Sequence, residues 1–195
     1  MSRTSRIERK TTETQIAVEI ELDGGGKADV RTGIAFFDHM LTLFCVHGRF
    51  DLNVVANGDL DVDFHHTVED VGLVLGEAVS AALDSRAGIE RYGFAVTPMD
   101  DALAQVAVDL SNRPYLVYRL PKPLACIGRF DAGLAKEFFR AFAVKAGMNL
   151  HINVPYGENE HHVLESVYKA LGRALRQAAR TDTARIGVLS SKGIL

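Results

Sequence analysis

His65-His66-Thr67-Val68-Glu69 returns as His161-His162-Val163-Leu164-Glu165, in a chain of 195 residues. The match runs past the pentad itself. The pattern His-His-x-x-Glu-x-Val-x-x-x-Leu-Gly-x-Ala fits residues 65–78 and 161–174 equally well. A long repeat of this kind, half a chain apart, points to two copies of one structural unit. Each copy supplies two imidazoles and a carboxylate, so the repeat marks the chemistry as well as the architecture.

Working outward from the first copy, residues 65–83 read as a long helix with the pentad in its opening turn. Ahead of it, Phe50–Ala56 reads as a strand closed by Asn57-Gly58. Residues 34–47 carry Phe36, Phe37, Met40, Leu41 and Phe44 at helical spacing, and Gly48 is placed to end that helix. Thr14–Leu22 alternates polar and apolar residues like a half-buried strand, and Asp23-Gly24-Gly25-Gly26 reads as a hairpin turn into a strand over Lys27–Thr32. The second half repeats the order: strands over Ala102–Leu110 and Tyr115–Leu120, a helix over residues 132–146 ended by Gly147, a strand over Leu150–Val154 and a helix over residues 160–179. Phe138-Phe139 falls where the first half has Phe36-Phe37. The expectation is an α+β fold of duplicated β-β-α-β-α half-domains, two small sheets with helices packed on one face of each. Residues 1–195 then form one domain of two repeats, about 1–90 and 91–195, sharing a core larger than either could bury alone.

Composition narrows the function classes. Hydrophobic residues make up 47% and charged residues 24%, with a formal charge of −3, which favours no nucleic-acid or polyanion partner. The apolar stretches 34–37 and 71–75 are too short to span a bilayer. Met1-Ser2-Arg3-Thr4-Ser5-Arg6 has no apolar run after it and is not a secretory signal. Cys45 and Cys126 read as buried thiols of a cytoplasmic protein.

Adjacent side chains on a helix diverge by about 100°, so His65 and His66 cannot clamp one ion together. Glu69, four residues from one and three from the other, shares a face with either. Each pentad therefore feeds two ions, one imidazole joining the glutamate and the other going elsewhere. Of the remaining histidines, His39 sits mid-helix among apolar residues and His151 lies in a strand between Leu150 and Ile152; His47 beside Gly48 reads as structural. Adding His39 and His151 to His65, His66, Glu69, His161, His162 and Glu165 gives eight ligands, enough for two ions with coordination positions left open. A set of imidazoles and carboxylates without thiolate suits manganese, iron, cobalt, nickel or zinc, and open positions suit catalysis.

A second group is basic: Arg91, Arg113, Lys169 on the second pentad helix, and Ser190-Ser191-Lys192-Gly193 near the end. Guanidinium forks and Ser-Lys-Gly donors are phosphate-gripping chemistry. Phe-Phe-Asp-His-Met-Leu at 36–41, the two pentads, Met99-Asp100-Asp101-Ala102-Leu103, Asp-Leu-Ser-Asn-Arg-Pro-Tyr at 109–115 and the Ser-Ser-Lys-Gly end together resemble imidazoleglycerol-phosphate dehydratase, in its monofunctional form. The resemblance runs from about Arg9 to Lys192. It implies a lyase of histidine biosynthesis that dehydrates imidazole glycerol phosphate to imidazole acetol phosphate, with two Mn2+ per subunit and an assembly of 24 subunits whose sites neighbouring chains complete. It also implies that the eight residues above are the ligands, that Arg91, Arg113, Ser191 and Lys192 hold the phosphate, and that Lys169 lines the site. Glu13 and Asp100 become polar or acid/base partners, beside Glu69 and Glu165. One departure is Leu43, where the family often has Gln.

The chemistry explains the need for a metal. The proton to be lost sits on a carbon with no carbonyl beside it, and an imidazole made acidic by a bound ion offers another route for expelling the adjacent hydroxyl. Two other classes use similar parts. A dimetal phosphatase would release inorganic phosphate, and a metal-buffering protein would have saturated sites and dispensable arginines.

Overall fold

The computed structural model describes residues 3–182 and 187–195. Its first half runs β1 (Thr4–Lys10), β2 (Thr14–Glu21), β3 (Ala28–Arg31), α1 (Ala35–Gly48), β4 (Asp51–Gly58) and α2 (His65–Leu83). The second runs β5 (Tyr92–Met99), β6 (Ala102–Asp109), β7 (Tyr115–Arg119), α3 (Leu134–Lys145), β8 (Asn149–Tyr156) and α4 (Glu160–Ala179). The sheets have the same topology, β1-β2-β4-β3 and β5-β6-β8-β7. The duplicated β-β-α-β-α pattern is present, and each copy has one more strand in front of it, β1 and β5.

The strand after the glycine run does not fold back on β2. Instead β4 lies between them, antiparallel to β2 and parallel to β3. Asp23-Gly24-Gly25-Gly26 is thus not a hairpin turn. A parallel pair needs a crossover, and α1 supplies it between β3 and β4. The glycines wrap the head of β4, where Asp51 Oδ1 accepts N–H bonds from Gly25, Gly26 and Lys27 at 2.8, 3.0 and 2.9 Å.

Period-2 alternation decides which face of each sheet is covered. In β2, Thr14, Ile16, Val18 and Ile20 are buried, while in β6 Ala102, Ala104, Val106 and Val108 are. Helix α2 covers β1 and β2, and α4 covers β5 and β6; α2 packs on α3, and α1 on α4. The helices of the two halves therefore meet, with the sheets outside. Phe37 on α1 and Phe138 on α3, one from each of the two matching Phe-Phe pairs, meet edge to face at 5.3 Å between centroids.

The conserved spacing of the repeat includes Leu-Gly because a neighbouring helix crosses at each glycine. A methyl group on Gly76 would stand 2.7 Å from the carbonyl oxygen of Phe142 on α3, and one on Gly172 would stand 2.3 Å from that of Phe44 on α1. Backbone atoms cannot rotate away, so the helix axes would have to separate. Cys45 is buried, with its thiol directed at the carbonyls of Lys27 and Phe50. Cys126, in the connection between β7 and α3, is exposed rather than buried as its apolar context suggests, and its neighbours Leu124 and Ile127 pack against the core instead.

Two measurements follow. Gly172→Ala should cost about 1–3 kcal/mol, the usual penalty of overpacking; an unchanged denaturant midpoint would contradict the crossing. Burial, with Asp51 adding to it, pushes the Cys45 thiol up to about 12. It therefore stays protonated through pH 8, so iodoacetamide should label one thiol per folded chain, at Cys126, and two after unfolding.

Candidate metal centre

Glu165 is the hub. It lies in the second turn of α4 and is buried to 7% exposure. Its Oε2 is 3.1 Å from His161 Nε2 and 3.4 Å from His39 Nε2, and its Oε1 is 2.6 Å from Lys169 Nζ. Burial alone would push this carboxyl up. Lys169, His161 and His39 outweigh that and hold it below its ordinary range, ionised and purely an acceptor. His39, His161 and Glu165 each offer a ligand atom within 4.8 Å of the others, and among the described residues this is the group of three that could hold an ion.

Local capping puts these side chains in place. Asn159 caps α4, its side chain accepting from the backbone N–H groups of His161 and His162 at 2.9 and 3.3 Å. At the start of α1, Asp38 Oδ1 reaches back to the N–H and hydroxyl of Thr32 at 2.9 and 2.6 Å. This sets the helix so that the next residue, His39, points at α4.

The first pentad repeats the geometry without a third ligand. His65 Nε2 lies 3.2 Å from Glu69, whose other oxygen meets Arg140 at 3.3 Å. In both pentads the paired rings stand 6.2 Å apart at 75°, so one imidazole of each joins the glutamate and the other turns away. His66 Nδ1 meets Asp59 at 2.9 Å and its Nε2 faces Glu13 at 3.9 Å. His162 Nδ1 meets Asp101 at 2.5 Å and its Nε2 faces Asp100 at 3.5 Å. The hydrogen bonds to Asp59 and Asp101, opposed by some desolvation, raise both histidines above their ordinary range. Sequence reasoning did not single out Asp59 or assign a part to Asp101. A carboxylate seven residues before His66 was a visible signal, whereas the partner of His162 comes from a distant turn.

Other sequence candidates lie elsewhere. His151 is on the exposed outer face of the second sheet, in register with Ala107 on β6 and Val117 on β7. Arg113 is exposed, its carbonyl accepting from the Asn149 side chain. Arg91 is buried, its guanidinium bridging both oxygens of Asp109 at 2.7 and 3.0 Å and the Leu189 carbonyl. Arg91 and Tyr92 line a shallow depression with Leu189, Ser190 and Ser191, while Lys192 is exposed beyond it. His47 and Leu43 are half-buried on α1.

A family model described as imidazoleglycerol-phosphate dehydratase matches residues 32–175. The imidazoleglycerol-phosphate dehydratase of Desulfosudis oleivorans is 59% identical over 195 residues, covering 100% of both chains. That of Syntrophobacter fumaroxidans is 57% identical over 99% of this chain and 98% of its own. The crystal structure of imidazoleglycerol-phosphate dehydratase from Staphylococcus aureus is 36% identical, with a TM-score of 0.81, over 92% of this chain and 99% of that one. The structure of IGPD from Pyrococcus furiosus in complex with (S)-C348 is 39% identical, with a TM-score of 0.84, over 97% and 100% of the two chains.

Replacing the hub tests the electrostatics without any ion. Glu165→Gln leaves the Lys169 ammonium, itself only 16% exposed, with no carboxylate beside it. We expect a loss of about 3 kcal/mol in metal-free protein, as for breaking a buried pair; denaturant unfolding with an unshifted midpoint would show that Glu165 is not the counter-charge.

Proposed function

Since the chain belongs to the imidazoleglycerol-phosphate dehydratase family and is a hydro-lyase, we propose that it eliminates water from imidazole glycerol phosphate to give imidazole acetol phosphate, using divalent metal held by its pentads. The observation that carries this is the cluster of His39, His161 and Glu165, with Lys169 beside it. Its nitrogen and oxygen donors fit manganese and the neighbouring transition ions. We assign two Mn2+ per subunit, held by His39, His65, His66, Glu69, His151, His161, His162 and Glu165.

A bound ion would supply Lewis acidity, making the substrate's ring N–H easier to remove. The chain's own groups do the rest. Lys169 neutralises Glu165 and keeps it ionised. Glu13 and Asp100 face Nε2 of His66 and His162, where each can take a proton from bound substrate or return one to the departing hydroxyl. Asp109 pins Arg91, which fixes the depression lined by Ser190 and Ser191. With Lys192 and Arg113, these residues grip the phosphate, positioning the reacting carbons without touching them.

Several ligands are separate within one chain, which supports sites completed by neighbours in an assembly of 24 subunits. The outer faces of the two sheets differ accordingly. On the first, the register sets Arg6, Glu19, Asn53 and Asp29 in one row across the strands. On the second, Tyr92, Phe94, Val96, Tyr115 and Tyr156 are 45–62% exposed around His151, a patch that suits burial against another copy. Residues 1–195 act as one dehydratase domain of two repeats, and a biosynthetic role places it in the cytoplasm. No helix among the described residues is long and apolar enough to cross a membrane.

Metal-free protein should be inactive on imidazole glycerol phosphate and regain turnover with Mn2+, yielding an enolisable ketone; inorganic phosphate in its place would mean a phosphatase. Elemental analysis should find about two ions per chain, and His39→Ala should lower that count. Glu13→Gln should keep the metal and cut turnover by about 10²–10⁴; full turnover would remove Glu13 from the chemistry.

A further inference from the structure

We propose that Asp59 and Asp101 are a matched pair of positioning residues, each holding the second histidine of a pentad with its proton on Nδ1 and its Nε2 lone pair facing outward. The inference rests on the metal reading of the pentads and adds what prepares them for an ion.

The geometry is the same in both halves. Asp59 Oδ2 lies 2.9 Å from His66 Nδ1, and Asp101 Oδ1 lies 2.5 Å from His162 Nδ1. An ionised carboxylate only accepts, so the hydrogen in each contact belongs to the ring nitrogen. Once the ring is neutral, its free lone pair is on Nε2. A free imidazole would distribute its proton between the two nitrogens, and a ring pinned at Nδ1 presents one ligand atom in one direction.

The origin of the two carboxylates makes the case stronger. Asp59 stands between β4 and α2, seven residues before His66. The corresponding place before His162 is Pro155, which has no acceptor side chain. In the second half the turn between β5 and β6 supplies the carboxylate instead. The turn ahead of β2 has one acid, Glu13, facing Nε2. The turn ahead of β6 has two, with Asp100 facing Nε2 and Asp101 on Nδ1. Simple inheritance from a common repeat would have put both carboxylates at one position. The same contact built from different elements indicates a requirement on the histidine itself.

Asp101 also accepts the backbone N–H groups of Glu158 and Asn159 at 2.6 and 2.9 Å. It thereby ties the ring to the segment that leads into α4. Asp59 makes no such side-chain bond to backbone among the described residues, and its second oxygen is buried with no partner. Asp59→Ala therefore isolates the effect on the ring, while Asp101→Ala also loosens a helix start.

The test is 15N spectroscopy of the histidine rings in metal-free, full-length protein sedimented for magic-angle spinning, at a pH where the rings are neutral, combined with calorimetric titration of Mn2+. His66 and His162 should carry their proton on Nδ1. Asp59→Ala should move the His66 proton to Nε2 and weaken Mn2+ binding about 10–100-fold. Asp59→Asn, whose amide oxygen still accepts, should retain the Nδ1–H form and recover part of the affinity. Wild-type rings protonated at Nε2 would overturn the proposal, as would Asp59→Ala leaving both proton position and affinity unchanged. Nδ1–H rings in a wild-type protein that takes up no Mn2+ would overturn the metal reading instead.

Discussion

One buried carboxylate joins the two halves of this chain. Glu165 belongs to α4, and its contacts run to His161 and Lys169 on the same helix and to His39 on α1. An ionised group with so little exposure is stable only if its partners stay in place. The α1–α4 crossing is therefore under two demands at once. Phe37 and Phe138 need the halves closed for packing, and Glu165 needs them closed for charge. Gly172, one helical turn beyond Lys169, lets the backbones approach closely enough to satisfy both.

Much of this was legible in the residues, for identifiable reasons. The pentad helices were readable because apolar residues recur along them at helical spacing; α2 and α4 begin and end where the pattern places them. The extra strands were not. β1 carries Arg6, Glu8 and Lys10 on its open face and little apolar alternation, and β5 contains Gly93 and Pro98. Edge strands owe their pairing to a neighbour rather than to their own composition. The glycine run misled because a hairpin and a lead-in to a crossover use the same residues; only the position of β4 distinguishes them.

The site divides in the same way. Spacing within one helix gave each glutamate one histidine of its pentad without saying which, and the structure pairs His65 with Glu69 and His161 with Glu165. It also required the second histidine of each pentad to turn elsewhere, as the 75° between paired rings shows. What spacing could not give was the partner at Nδ1. A residue 61 positions away, Asp101, meets His162 only because the β5–β6 turn is folded against the head of α4. His151 was read correctly as a strand residue, yet period 2 alone could not say which sheet face it would occupy.

The cluster at Glu165 also orders events in time. The three residues that could hold an ion there are 39, 161 and 165, so the last of them leaves the ribosome after more than four-fifths of the chain. A nascent first half has His39 on α1 but neither of the two residues it meets in this cluster. Whatever cation the cluster holds can be captured there only after α4 has docked on α1, so its occupancy certifies that the two repeats have found each other.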